Sequence, residues 1–101
     1  MRDKKIIVML PAYNEEKDLP VLLSRIKQAL DPWANYRILV VDDGSHDQTA
    51  QIVRDAGKKM PAELIQHPQN MGLGAAMRTG LKAAAGNSDI VITLDADNSQ
   101  D

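Results

Sequence analysis

The sequence predicts an α/β fold in three layers, a mainly parallel four-stranded sheet with helices on both faces. Three observations predict it. Four short apolar runs alternate with longer amphipathic stretches. The runs are apolar throughout, the pattern of strands buried on both faces rather than on one. Polar clusters follow three of the runs directly, at strand carboxyl ends, where open sheets of this kind hold their ligands.

Taken in order, Ile6 to Leu10 is a continuous apolar strand stopped by Pro11. Leu19, Leu22, Leu23, Ile26 and Leu30 recur at three- and four-residue steps, which predicts a helix over 16–30. Asp31-Pro32 closes it, because the residue before a proline avoids helical backbone. Arg37 to Val41 is a second strand ending in Asp42-Asp43-Gly44-Ser45. A second helix is expected to begin at Ser45 or His46, with Asp47 in its positive first turn. Its apolar line is Ala50, Ile52, Val53 and Ala56, and Gly57 is a natural stop. Ala62 to His67 reads as a weaker third strand, Pro68 to Gly72 as a turn, and Leu73 to Ala85 as an alanine-rich third helix. Gly86-Asn87 ends that helix, and Ile90 to Leu94 is the fourth strand.

A chain of 101 residues has room for one domain with one core. Aromatics are scarce (Trp33, Tyr13 and Tyr36, no Phe), so the core must be built from aliphatic side chains and Met. The net charge is −2, and no basic patch interleaves with aromatics, which argues against nucleic acid as a partner. The absence of cysteine excludes a disulfide framework and a thiolate metal site, and fits a reducing compartment. No apolar run is long enough to span a bilayer as a helix. The apolar stretch after Met1-Arg2-Asp3-Lys4-Lys5 is too short for a signal peptide. The expected location is the cytoplasm.

Asp95-Ala96-Asp97 carries the most chemistry. In an extended backbone residues i and i+2 point to the same side, so both carboxylates can converge on one ligand. Two hard oxygen anions suit Mg²⁺ or Mn²⁺, which also keeps waters and phosphate oxygens. A lone D-x-D is common by chance; its position at a buried strand's end gives it weight. Pro11-Ala12-Tyr13-Asn14-Glu15 follows the first strand, where Tyr13 can lie flat on a nucleobase and Asn14 and Glu15 can meet base or ribose edges. The purely structural alternative makes Asn14 the N-cap of the first helix, with Glu15 and Glu16 in its first turn.

An acid in Asp42-Asp43-Gly44-Ser45 is placed to hold a ribose hydroxyl or a base N–H. A turn with Gly44 at positive φ is the plainer reading, although two adjacent acids exceed what a turn needs. Asn70-Met71-Gly72-Leu73-Gly74 is half of a phosphate loop, with Met77 where a third glycine would stand, and there is no P-loop. Gly72 and Gly74 are expected to let backbone approach a ligand or the fourth strand. Arg78 is either a phosphate ligand or an exposed helix residue. His46 and His67 have no partner at metal-ligand spacing and read as ordinary surface or turn residues.

Taken together, Ile7 to Glu16, Val40 to Ser45, Asn70-x-Gly72-x-Gly74 and Asp95-Ala96-Asp97 resemble the family 2 glycosyltransferases of the Rossmann-like GT-A fold. The subgroup most similar is the dolichyl- or polyprenyl-phosphate sugar transferases, and the resemblance covers roughly residues 5 to 101. It implies strand order 3-2-1-4, a UDP- or GDP-linked sugar donor, a divalent Mg or Mn cofactor, and a polyprenyl-phosphate acceptor at the inner face of the membrane. By position it implies that Pro11, Ala12, Tyr13, Glu15, Val41 and Asp43 line the base and ribose, beside Asp95 and Ala96. Asp97 would be the direct metal ligand, with Asp95 holding the ribose or sharing the metal. The catalytic base and acceptor site are expected beyond Asp101. On this reading residues 1–101 are the N-terminal nucleotide-binding half of a truncated transferase, inactive alone, with uncovered sheet edges that favour self-association.

Two readings from other classes remain. A receiver-like Mg²⁺-binding signalling domain would need an acidic pair after the first strand, where Pro11-Ala12 stand. A non-catalytic self-associating fragment would show no metal-dependent nucleotide affinity.

Overall fold

The computed structural model describes residues 2–96, so Asp97, the expected direct metal ligand, lies outside the described residues. Seven elements run β1 (Lys5–Ala12), α1 (Leu19–Leu30), β2 (Asn35–Asp42), α2 (Thr49–Ala56), β3 (Ala62–Gln66), α3 (Leu73–Ala84) and β4 (Ile90–Thr93). The strands form one sheet in the order β3-β2-β1-β4, every pair parallel. Three layers and the order 3-2-1-4 are as expected.

Strand parity sorts the core. Ile6, Val8 and Leu10 of β1 and Tyr36, Ile38 and Val40 of β2 face α1 and α2, meeting Leu19, Leu23, Ile26 and Val53. Ile7, Met9, Leu39 and Val41 face the other way, onto Ala76 and Ala84 of α3. The small residues Ala76, Gly80 and Ala84 form the buried stripe of α3. A Cβ at Gly80 would stand 2.5 Å from the buried Met9 sulfur, so the stripe sets how closely α3 lies on the sheet. The Tyr36 hydroxyl donates to Asp31 Oδ1 at 2.6 Å, pinning the end of α1 to β2. Burial, and then that carboxylate, push the phenol up to about 12.

Element ends depart from expectation for local reasons. α1 starts at Leu19 rather than Glu16; Asp18 is its N-cap and Pro20 lies in the first turn. Asn14 is not the cap, because its backbone is left-handed (φ 52°). α2 starts at Thr49, since the Asp47 side chain accepts from the Thr49 N–H (2.9 Å) and closes a turn before the helix. Pro11 does not stop β1, which pairs with β2 through Ala12↔Asp42. The Lys5 and Met9 carbonyls accept from Asp89 and Leu94 on the β4 side, and the Ala12 carbonyl from Asp43 on the β2 side. By that alternation the N–H that Pro11 lacks would point toward β4, just past the last β1–β4 pair, Met9↔Thr93. The two edge strands among the described residues depart from double burial: no residue of β3 is fully buried, and Ile90, Val91 and Ile92 of β4, with Leu94 just after it, are each more than a third exposed.

Gly44 carries the close approach that shapes the carboxyl end of the sheet. Its φ is +76°, and a Cβ there would lie 2.3 Å from the Gln69 carbonyl carbon and 2.4 Å from the Asn70 nitrogen. Left-handed backbone and a clash with main chain add, so Gly44→Ala is expected to cost about 2–4 kcal/mol. Urea denaturation checks it; a loss below about 0.5 kcal/mol, the scale of an ordinary surface substitution, would contradict it.

Candidate functional site

A cleft of about 400 Å³ opens at the carboxyl ends of the strands, at the switch point where β1 lies between β2 and β4. β1 and the segment after it contribute Pro11, Ala12, Tyr13 and Glu15; Asp43 comes from the end of β2, and Asp95 and Ala96 follow β4. Seven of the residues expected from sequence thus meet in one cavity. Val41 does not: it is wholly buried against α3 and contributes core rather than cleft wall.

Parity explains the two adjacent acids. Carried past β2, the alternation sends Asp42 toward α1 and α2, and Asp43, after Leu39 and Val41, toward α3. Asp42 is fully buried and accepts from the Ser45 N–H (3.1 Å) and the Gln66 amide (3.4 Å), a structural role. Asp43, 4% exposed, lines the cleft and gathers the chain around it. Its Oδ1 accepts from the Met71 N–H (2.9 Å) and lies 2.8 Å from His67 Nδ1; its Oδ2 accepts from the Gly72 N–H (2.9 Å). Burial pushes this carboxyl up, but the bonds from His67, Met71 and Gly72 outweigh it and hold the group below its ordinary range.

The segment after β1 is tied to the start of α2 by five bonds. The Asn14 N–H donates to Ser45 Oγ (2.8 Å), and the His46 N–H returns to Asn14 Oδ1 (2.8 Å). The Glu15 N–H donates to Thr49 Oγ1 (2.9 Å), the Glu16 N–H to Asp47 Oδ2 (3.2 Å), and the Gln48 N–H to Glu16 Oε1 (3.0 Å). Burial raises the Asp47 carboxyl, while donors from Thr49 and Glu16 bring it below its ordinary value. This lattice holds Tyr13, 40% exposed, and Glu15 at the cleft.

Asn70, Gly72, Leu73 and Ala76 also line the cleft; of these, sequence reasoning expected only Gly72 beside a ligand. Gly72 has φ +97° with open space where a Cβ would stand, whereas Gly74 has only the Arg78 guanidinium near it; neither approaches β4. Arg78 is an exposed helix residue whose Nη1 lies 3.6 Å from the Cβ position of Gly74, and it does not line the cleft. His67 is not an ordinary turn residue: its ring bridges Asp43 and Thr79 (Nε2 to Oγ1, 2.9 Å). Its place at the carboxyl end of β3, like the other polar clusters, was the available signal.

No group of three or more potential metal-ligating side chains forms among the described residues. Asp95 lines the cleft as a hard oxygen donor of the kind Mg²⁺ or Mn²⁺ prefers, so it fits as one protein ligand of a cation that keeps water and phosphate oxygens.

A parallel 3-2-1-4 sheet with its cleft at the switch point is the frame of the GT-A glycosyltransferases. The chain belongs to Glycosyl transferase family 2, whose family pattern matches residues 7–100. It is 44% identical over 99 residues to the undecaprenyl-phosphate 4-deoxy-4-formamido-L-arabinose transferase of Aeromonas hydrophila, covering 93% of this chain and 29% of that protein. It is 40% identical to the dolichol-phosphate mannosyltransferase of Pyrococcus furiosus, covering 92% of this chain and 26% of the relative. Among solved structures, glucosyl-3-phosphoglycerate synthase of Mycobacterium tuberculosis, in complex with Mn²⁺, UDP and glucosyl-3-phosphoglycerate, superposes with a TM-score of 0.74. It is 29% identical, over 93% of this chain and 34% of that one. The chain thus spans between 26% and 34% of the length of these relatives. Family membership removes the receiver-like alternative.

The lowered Asp43 and Asp47 carboxyls set an acid limit on stability. A depressed carboxyl stabilises the fold fully above the unfolded value, near about pH 4, and that contribution is lost as pH falls through the folded value. Denaturation midpoints are expected to hold from neutral pH to about 4 and drop below it, with a shallower drop in Asp43→Asn. An unchanged acid slope in that variant would show that Asp43 is not a source of the loss.

Proposed function

We propose that this chain is the donor-binding domain of a metal-dependent glycosyltransferase that moves a sugar from a nucleotide-diphospho-sugar to a polyprenyl phosphate. One observation carries the reading: Tyr13, Glu15, Asp43 and Asp95, from three separate strand ends, converge on one cleft at the sheet's switch point. Each has matching chemistry. The Tyr13 ring offers a stacking face to a base. Asp43, with three donors already on it, is an acceptor that suits a base N–H or a ribose hydroxyl. Glu15 and Asp95 are acceptors for ribose, and the Pro11–Ala12 backbone with Ala96 leaves room for the nucleoside. The relatives that act on undecaprenyl and dolichol phosphate support the lipid-phosphate acceptor, and the Mn²⁺–UDP complex of the structural neighbour supports the donor class.

In the reaction an acceptor oxygen attacks the anomeric carbon while the bond to the diphosphate oxygen breaks and its electron pair leaves with the diphosphate. Family resemblance implies inversion. Asp95 and Asp97 would hold a Mg or Mn ion, which offsets the charge growing on the diphosphate. The acceptor side and the catalytic base are assigned to further polypeptide, and this domain to the cytoplasmic face of the membrane. No helix among the described residues is long and apolar enough to cross a membrane.

Calorimetric titration with UDP and with GDP, each with and without Mn²⁺, tests the reading and names the base. UDP is expected to bind only with metal, and Asp97→Ala to weaken it by about tenfold or more, the scale of one lost charge-assisted interaction. No nucleotide affinity under any condition would overturn it.

One observation favours a second reading, association of two copies: β4 and Leu94 just after it leave four large apolar side chains more than a third exposed along a sheet edge. Sedimentation equilibrium is expected to show a concentration-dependent dimer that Ile92→Lys abolishes. A monomer throughout would dismiss this reading.

A further inference from the structure

We propose that His67 is a positioning residue for Asp43, which with Thr79 holds the carboxylate as a fixed acceptor facing the nucleotide. The inference rests on the donor-site reading above, and concerns a group to which that reading gives no part.

His67 joins three elements. Its backbone N–H donates to the Asp42 carbonyl at 2.8 Å, which fixes it beside the end of β2. Its ring, with 10% of the side chain exposed, spans from Asp43 Oδ1 (2.8 Å) to Thr79 Oγ1 on α3 (2.9 Å). Hydrogen-bond directions follow from what each group can do. The Asp43 carboxylate takes two backbone N–H donors, one on each oxygen, and acts only as an acceptor. Nδ1 must therefore carry a hydrogen. In the neutral ring Nε2 is then an acceptor, so the Thr79 hydroxyl donates to it. With the ring neutral, the chain of bonds runs one way: Thr79 O–H to His67 Nε2, then Nδ1–H to Asp43.

The consequence is rotational. Turning the Asp43 carboxylate breaks bonds at both oxygens, and His67 contributes the one tied to β2 and α3. The Met71 and Gly72 donors belong to the 68–72 connection, which is irregular backbone. Thr79 sits beside Gly80, the position where α3 packs directly on Met9 of β1. His67 thus refers the carboxylate to the sheet and α3, as outer residues orient the groups that touch a ligand. Without it, Asp43 depends on the connection alone.

The test is UDP affinity in the presence of Mn²⁺, together with nitrogen-15 NMR of the His67 ring. His67→Ala is expected to weaken UDP by about tenfold, as for a lost bond to a charged group, and Thr79→Val by about threefold. His67→Asn, whose amide N–H can stand where Nδ1–H stood, is expected to recover most of the loss, which a merely structural role would not produce. In the unsubstituted chain the neutral form of the ring is expected to carry its hydrogen on Nδ1. Unchanged UDP affinity in folded His67→Ala, no recovery in Asn, or hydrogen on Nε2 would each overturn the proposal. If His67→Ala fails to fold, Thr79→Val and the ring spectrum still decide it. Absence of UDP binding by the unsubstituted chain is a separate result, which removes the donor-site reading and this inference with it.

Discussion

The Asp43 carboxylate is the interaction on which the carboxyl end of this molecule depends. A buried anion is costly unless it is fully bonded, and here donors arrive from the end of β3 and from the segment leading into α3. The Met71 and Gly72 donors follow a Gln69–Asn70 backbone that passes directly against Gly44. The same contacts bring Asn70, Gly72 and Leu73 to the cleft, so its α3 wall exists because one carboxylate is satisfied.

The opposite wall is built by another means. From Asn14 to Glu16 the main chain donates to side chains of the segment that starts α2, and the Asn14 and Glu16 side chains accept in return. Ser45 and Thr49 accept from a neighbouring loop, and Asp47 does both: Oδ2 takes the Glu16 N–H while Oδ1 closes its own turn. The left-handed Asn14 is part of this exchange: its backbone donates to Ser45 while its side chain accepts from His46. Tyr13 and Glu15 thus stand on a cross-braced support although both belong to irregular chain.

Much of the fold was legible in sequence because it rests on periodicity. Apolar runs such as Ile6–Leu10 and the stepped leucines of α1 encode strand and helix directly, and a run followed by acids encodes a strand's carboxyl end. The cleft was legible for the same reason: residues after parallel strands must meet at one edge of the sheet. What escaped was decided by contact across the chain. His67 is unremarkable until Asp43 and Thr79 stand on either side of it. Val41 sits one residue after a core position and two before Asp43, and only the side on which α3 packs makes it core. Asn14 fits the composition of a helix cap, but its partners lie more than thirty positions away in Ser45 and His46. The expected start of α2 at Ser45 or His46 failed because Asp47 bonds forward to Thr49, a local competition that residue preference alone does not rank.

Pro11 has a consequence beyond its strand. The β1–β4 ladder closes with the Leu94 N–H on the Met9 carbonyl, and the next rung toward the cleft would need a donor at position 11. A pyrrolidine nitrogen has none, so the two strands unzip where the ligand edge begins. The mouth of the cleft thus begins where the main chain lacks a donor. Any residue with an N–H at position 11 would offer the ladder one more rung there and carry the pairing toward the opening.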